Sequence, residues 1–231
     1  FRTAVYVSRV AAKTSVILSR SAIKIAVVVP VAESITPLRL LSRSATMTGN
    51  RSERTNLRLN VGAGLTEWGD VRLDVSPTDT VTLLGDMHAL PVASETVSEL
   101  LMDNVLEHAA DVTGVLKEVH RVLRPGGVAY VYVPYYTAHG AHADPTHRSY
   151  FTEDTFKYYT SGSDYEHYAD FEFEFVDQEF VYSKLLAPVP FRRLRLKIGH
   201  AVGDLVLAMK TVLRKPGDDP VAPTIEGWLE T

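Results

Sequence analysis

The stretch "DVTGVLKEVHRVLRPGGVAYVYVP", residues 111–134, decides the fold. Apolar side chains at Val112, Val115, Leu116, Val119, Val122 and Leu123 recur at helical spacing, and Asp111 stands where an N-cap belongs. "RPGG" (124–127) stops the helix, and "VAYVYVP" (128–134) is a β-branched and aromatic strand. Just upstream, "ELLMDNV" (99–105) reads as a buried strand. Strand, helix, strand in this order predicts a right-handed crossover and a mainly parallel sheet.

Working outward from that unit, "LRLNV" (57–61), "VRLDV" (71–75) and "TVTLLGD" (80–86) read as three earlier strands. Residues 135–150 are polar, rich in His and Tyr, and expected as loop. "TEDTFKYY" (152–159) reads as a short helix capped by Thr152. "FEFEFVDQEFVYSKL" (171–185) alternates with period two and predicts one or two closing strands, antiparallel to the rest. After the basic "FRRLRLK" (191–197), apolar residues at Ile198, Val202, Leu205, Val206, Met209, Val212 and Leu213 predict an amphipathic helix over 198–214. Its stripe suits packing on the sheet or a homodimer contact better than stable membrane insertion. "KPGDDPVAP" (215–223) is expected to be loose.

The chain has 231 residues, 45% of them hydrophobic and 23% charged, the balance of an ordinary globular domain. It contains no cysteine, so disulfides, thiolate metal sites and cysteine nucleophiles are excluded; this fits a cytoplasmic protein. The net charge of −4 is uneven. Residues 1–46 hold seven Lys/Arg and one acid, leaving 17 basic and 27 acidic residues beyond. An acidic body argues against nucleic acid as partner, because phosphate binding rests on clustered Lys/Arg. Residues 1–46 therefore read as a leader or, preferably, a non-native extension ahead of Met47; residues 47–187 as the main domain; and residues 188–231 as a basic amphipathic helix with a flexible tail.

"LRLNVGAGLTEWGDVRLDVSP" (57–77) carries the binding signal. Gly62 and Gly64 remove side chains where a backbone bends sharply and approaches a ligand. Asp74 ends the second strand, where a carboxylate can accept from ribose hydroxyls. A dinucleotide site would need a third glycine and a long helix against the pyrophosphate; Trp68 stands near the place of that glycine, and the connection is too short. A nicotinamide-dependent oxidoreductase is thereby disfavoured, and a ligand without a pyrophosphate, such as S-adenosylmethionine, suits the turn.

The segment "GDMHALPVASETVSELLMDNVLEHAADVTGVLKEVHRVLRPGGVAYVYVP" (85–134) resembles the S-adenosylmethionine-dependent methyltransferases of the type 11 group. That group shows a glycine turn, an acid ending strand two, a Gly-Asp-x-x-x-Leu-Pro element, Val-Leu-Glu-His and Arg-Val-Leu-x-Pro-Gly-Gly, and all five occur here in order. "DPTHRSYFTEDTF" (144–156) resembles a segment that follows strand five in a branch with a very short first connection. The resemblance implies an α/β, Rossmann-like methyltransferase fold: a mainly parallel sheet, an antiparallel closing strand and helices on both faces. It implies that Gly62, Ala63 and Gly64 line the methionine part of the cofactor, that Asp74 holds the ribose, that Asp86 and Met87 flank the adenine, and that Asn104 lines the methionine side. Two positions depart from the pattern. Asn60 replaces a residue that is often acidic, and Ser98-Glu99 stands where Phe-Asp is common.

On the acceptor side, Tyr135, Tyr136 and His108 are pocket candidates; the two tyrosines have packing as the rival role, and Glu107-His108 of "VLEH" reads as an acid/base pair or, preferably, as a structural pair whose histidine positions the loop. His147 and Asp144, on the loop after strand five, are candidates for taking a proton from the acceptor; the competing role is an Asp–His pair that ties down the loop. The histidines of "HGAHADPTH" (139–147) match no standard helical ligand pair, and no metal site is assigned. The function expected is methyl transfer to a small-molecule acceptor at an O, N or C atom; the alternative is a non-catalytic cofactor-binding or scaffold protein of the same fold.

Overall fold

A computed structural model describes residues 56–162 and 168–224, together with the backbone of 17–18 and 23–24. Apart from a two-residue ribbon pairing Ile17–Leu18 with Ile23–Lys24, the expectation for residues 1–46 lies outside the described residues.

The body is one seven-stranded sheet. Its strands are β1 (Leu57–Val61), β2 (Val71–Asp74), β3 (Leu83–Leu84), β4 (Val97–Asp103), β5 (Leu123–Pro134), β6 (Glu174–Tyr182) and β7 (Val206–Arg214). They lie in the order β3-β2-β1-β4-β5-β7-β6. The first five are mutually parallel, and β7 runs antiparallel to both β5 and β6. This is the Rossmann-like arrangement that the resemblance implies. Strand order reverses between β1 and β4, so the carboxyl ends of those two strands form the topological switch point.

The crossover unit forms as its sequence dictates. Helix α1 (Val112–Val122) is capped by the Asp111 carboxylate, which accepts the Gly114 N–H at 2.9 Å. It buries Val115, Leu116, Val119 and Val122 against Leu59, Leu100, Met102, Ala129 and Val131 of the sheet. Each fully buried aliphatic side chain contributes about 1.5–3 kcal/mol, which makes this face the main store of stability.

Helices are expected on both faces. Among the described residues, α1 and helix α3 (Arg192–Ala201) both pack on the same apolar cluster, α3 through Leu196. The opposite face, with Leu101, Val128, Tyr130 and Val212, is instead covered by Trp68 and Val221. Trp68 belongs to the short β1–β2 connection, so the residue standing where a helix is missing does part of that helix's covering. Arg58 holds the connection in place: its guanidinium lies 5.9 Å from the Trp68 ring centre and pairs with Asp70.

The helix expected over 198–214 is corrected. Residues 192–201 are helical and Val206–Arg214 is a strand. The break falls at Gly203-Asp204, where Asp204 has a φ of +64° and accepts the His139 N–H. Paired on both sides, β7 is buried on both faces, so its sequence is a nearly continuous apolar run that fits helical spacing equally well. The segment assigned to an appendage thus supplies an interior strand, next to the edge of the sheet. Residues 171–185 yield one strand, β6, which reaches the sheet only through β7; antiparallel to β7, it runs parallel to β1–β5, so the antiparallel strand expected here is β7 instead. The third strand is only Leu83–Leu84. The loop over 135–150 contains a short helix, α2 (His139–Ala143), and the helix expected over 152–159 is a 3₁₀ turn, Thr155–Tyr159.

The tail expected to be loose is docked as far as Thr224. Val221 donates to the Gly126 carbonyl at 2.8 Å, and Lys215 donates to the Leu123 carbonyl at 3.0 Å. Thr224 donates through its N–H to the Tyr130 hydroxyl and through its own hydroxyl to Glu99. Gly126, with φ +80°, is required here: a Cβ would stand 2.1 Å from the Asp219 carbonyl oxygen.

Candidate functional site at the carboxyl edge of the sheet

The glycine turn leaves β1 at the switch point. Gly62 and Ala63 both donate to the Leu73 carbonyl, at 2.8 and 3.0 Å. Gly62 takes φ +70°, and a Cβ there would meet Val105 Cγ2 at 2.3 Å, so the turn lies directly against the segment that follows β4. Gly64 takes φ +52° and faces open space, with nothing within 4 Å of an added Cβ. Ala63 is buried beneath.

Asp74 is tied into the same turn. Its Oδ2 accepts the Gly64 N–H at 2.9 Å and its Oδ1 the Ser76 N–H at 2.8 Å. The Gly64 carbonyl accepts from the Thr78 and Thr80 hydroxyls, each at 2.6 Å. The Asp74 carbonyl accepts the Gly85 N–H, which carries the contact chain to Asp86. Asp86 is exposed, and its Oδ1 accepts the His88 N–H at 2.9 Å while lying 2.8 Å from His88 Nδ1. Chiefly through the backbone bond from His88, its carboxyl is held below the usual range. Met87 is half-buried against the main core. Asn104 has φ +49°, a conformation that asparagine tolerates better than most residues. Its N–H donates to the Tyr132 carbonyl and its side chain to Asp103. The expected cofactor residues thus follow one another along a single edge of the sheet, from Asn104 through Gly62 and Gly64 to Asp74 and Asp86. Asn60, one strand position earlier, is buried and donates to the Trp68 carbonyl, stabilising the short connection.

The other side of the edge is built by the segments after β4 and β5. Tyr135 is fully enclosed. Its hydroxyl donates to Glu153 at 2.6 Å and lies 2.6 Å from His200 Nε2. Burial raises its pKa well above the ordinary tyrosine value, and the ring serves packing between β5 and α3. Tyr136 is half-buried, and its carbonyl is 2.8 Å from His142 Nε2.

The remaining candidates come together. His147 sits with its ring 4.8 Å from that of His108, edge to face. Its Nδ1 is 2.9 Å from the Ala141 carbonyl, and its Nε2 is 3.9 Å from both Glu107 Oε1 and Asp144 Oδ2. His108 Nδ1 is 2.9 Å from the Thr146 hydroxyl, which in turn donates to Asp144 at 2.6 Å. Bonds from Thr146 keep the Asp144 carboxyl below its ordinary pKa.

Glu107, for which the sequence favours a structural role, is the unexpected member of this group. It is 1% exposed, and neither carboxylate oxygen has a hydrogen-bond partner among the described residues. Burial pushes its pKa up to about 7. The signal available was its position in "VLEHAA", a carboxylate between Leu106 and Ala109, both fully buried.

Residues 65–131 match the model of a family described as a methyltransferase domain. An uncharacterized 37.1 kDa protein of a Streptomyces fradiae transposon is 48% identical over 44 residues, which cover 19% of this chain and 13% of that protein. Among solved structures, a SAM-dependent methyltransferase from Archaeoglobus fulgidus superposes with a TM-score of 0.48 at 12% identity, over 70% of this chain and 87% of that one. The YcgJ protein from Bacillus subtilis superposes with a TM-score of 0.48 at 14% identity, over 72% and 94%. No helix of the described residues is long and apolar enough to cross a membrane.

Proposed function

We propose that this chain, which carries the methyltransferase-domain match over residues 65–131, is an S-adenosylmethionine-dependent methyltransferase acting on a small-molecule acceptor. One observation carries the reading: the Asp74 carboxylate and the Gly64 backbone are bonded to each other at the switch point, beside open space. An acid paired with a bare, left-handed turn fits a nucleoside whose ribose offers two hydroxyls and whose other arm lies along a backbone.

In this reading Gly62, Ala63 and Gly64 form the floor under the methionine arm. Asp74 keeps lone pairs on both oxygens for the ribose, because each oxygen is engaged by only one N–H. Asp86 and Met87 flank the adenine, and Asn104 borders the methionine side. The cofactor, when bound, supplies an electrophilic methyl group on sulfur. The chain's own task is then to align the acceptor and exclude water. Tyr136 and His108 border the acceptor. If the acceptor atom carries a proton, that proton leaves to Asp144 or His147, which stand on the loop after β5.

Calorimetry with S-adenosylhomocysteine tests the binding half of the proposal. Methyl transfer from tritiated cofactor into fractionated extract tests the chemical half. Saturable binding with no transfer to any fraction favours the scaffold alternative, to which Asn60 and the short first connection lend weight. Absence of binding removes the proposal.

A further inference from the structure

Of the four histidine and aspartate side chains of "HGAHADPTH", only Asp144 and His147 stay together, with Asp144 Oδ2 3.9 Å from His147 Nε2. His142 stacks on Tyr150, with ring centres 4.7 Å apart. The His139 backbone is held by Asp204. His147 also meets Glu107 and His108, which arrive from the segment after β4. One ligand-capable atom from each of Glu107, His108 and His147 lies within 4.8 Å of the other two.

Three features make this a built set rather than a chance cluster. First, the imidazoles are oriented from behind. Thr146 has a single hydroxyl proton and gives it to Asp144, so His108 Nδ1 must be the donor to Thr146. His147 Nδ1 faces a carbonyl, which only accepts, so it too carries the proton. Both rings therefore have the tautomer that leaves a lone pair on Nε2. A ring N–H fixed on an oxygen acceptor is the usual support of a metal-ligating histidine. Second, Glu107 is enclosed with both oxygens unpartnered among the described residues. A buried carboxyl without a partner must protonate, pair with a charge, accept hydrogen bonds or coordinate a cation, and the two imidazoles beside it make the last of these available here. Third, the donors come from two separate loops, so a bound ion has something to hold together.

We propose that Glu107, His108 and His147 bind a divalent first-row transition-metal ion of the zinc or iron(II) class. Two neutral imidazoles and one carboxylate form the donor set such ions take, with at least one coordination position left for solvent or a ligand. Donor atoms on one tetrahedral ion at ~2.1 Å stand ~3.4 Å apart, so binding draws the set together by about 1 Å. Rotation of side chains on two loops supplies that movement. Asp144 Oδ2 lies as near His147 Nε2 as Glu107 Oε1 does, at 3.9 Å, but does not approach all three donors; with an ion on His147 Nε2, proton transfer from the acceptor falls to Asp144 alone. The site rests on the donor geometry alone and does not depend on methyl transfer.

The test uses the full chain without a histidine tag, stripped with chelator and titrated with Co²⁺, with visible d–d absorption as readout and Zn²⁺ as competitor. The expected result is one equivalent of Co²⁺, displaced by Zn²⁺, with a rise in Tm. Glu107→Gln and His147→Gln each weaken binding at least about tenfold, and Thr146→Val, which keeps all three donors but removes the hydroxyl that supports His108 and bonds Asp144, weakens it about 10–100-fold. His142→Ala binds like the parent. Circular dichroism verifies that each variant is folded; the glutamine at position 107 keeps the shape of the buried side chain. No saturable binding by the folded parent overturns the proposal. So does binding that survives Glu107→Gln and His147→Gln but is lost in His142→Ala.

Discussion

The Asp74 carboxylate accepts the backbone N–H of Gly64 at 2.9 Å, joining the end of β2 to the turn that follows β1. A hydrogen bond to a charged group is worth about 1.5–3 kcal/mol, so this acid serves the fold as well as the proposed ribose site. Asp74→Ala is expected to raise the Kd for S-adenosylhomocysteine at least about tenfold and to lower stability by about 1–3 kcal/mol. Calorimetry and urea unfolding separate the two effects. A variant that binds as the parent does would remove the ribose assignment.

The two glycines of the turn should respond differently. At Gly62 an alanine meets both a left-handed backbone and the Val105 side chain 2.3 Å away, for a combined cost of about 2–4 kcal/mol. At Gly64 only the backbone conformation is unfavourable, at about 1–2 kcal/mol. Denaturant midpoints should rank Gly62→Ala below Gly64→Ala, and adding Val105→Ala should recover part of the loss at position 62 only.

The docked tail gives a third prediction. Tyr130 donates to the nearly buried Glu99 at 2.9 Å, and Thr224 donates to the same carboxylate at 2.6 Å. Tyr130→Phe deprives Glu99 of one donor and is expected to cost about 1–3 kcal/mol. Thr224→Val should cost less, because that residue is at the surface and water can replace it. Equal losses in urea unfolding would contradict this account.

His120 supplies a pH signature. Burial beside Phe171 and Phe173, with Lys215 adding positive charge, lowers its pKa. The unfolded chain, with an ordinary histidine pKa of about 6.5, therefore binds more protons than the folded one as pH falls through that value. Stability attributable to this residue is present at neutral pH and lost on acidification. His120→Gln should flatten the decline in Tm between about pH 7 and pH 5 relative to the parent. An unchanged slope would exclude His120 as a contributor.

What was legible in the sequence follows from the range of the interactions. Helix α1 and strands β4 and β5 announce themselves because capping and periodicity are local. The glycine turn and Asp74 are legible for the same reason, since the bond that joins them spans only ten residues. Strand β7 was not, because burial on both faces erases the alternation that marks a strand. The meeting of Glu107 and His108 with His147 was not legible either. It depends on two loops that follow neighbouring strands but lie about forty residues apart in the chain, and no pattern inside either loop encodes the other.

The position of β7 also bears on how the molecule is made. Strand β6 borders nothing but β7, and β5 has β7 as its outer neighbour. Until Val206–Arg214 is in place, β6 has no partner strand and the outer margin of β5 presents a row of unpaired backbone N–H and C=O groups. The parallel strands β1–β5 can pair without it, but the attachment of β6 and the covering of the β5 edge wait on the Val206–Arg214 segment. A chain in which that segment has come away leaves the β5 edge open to strand pairing with another molecule.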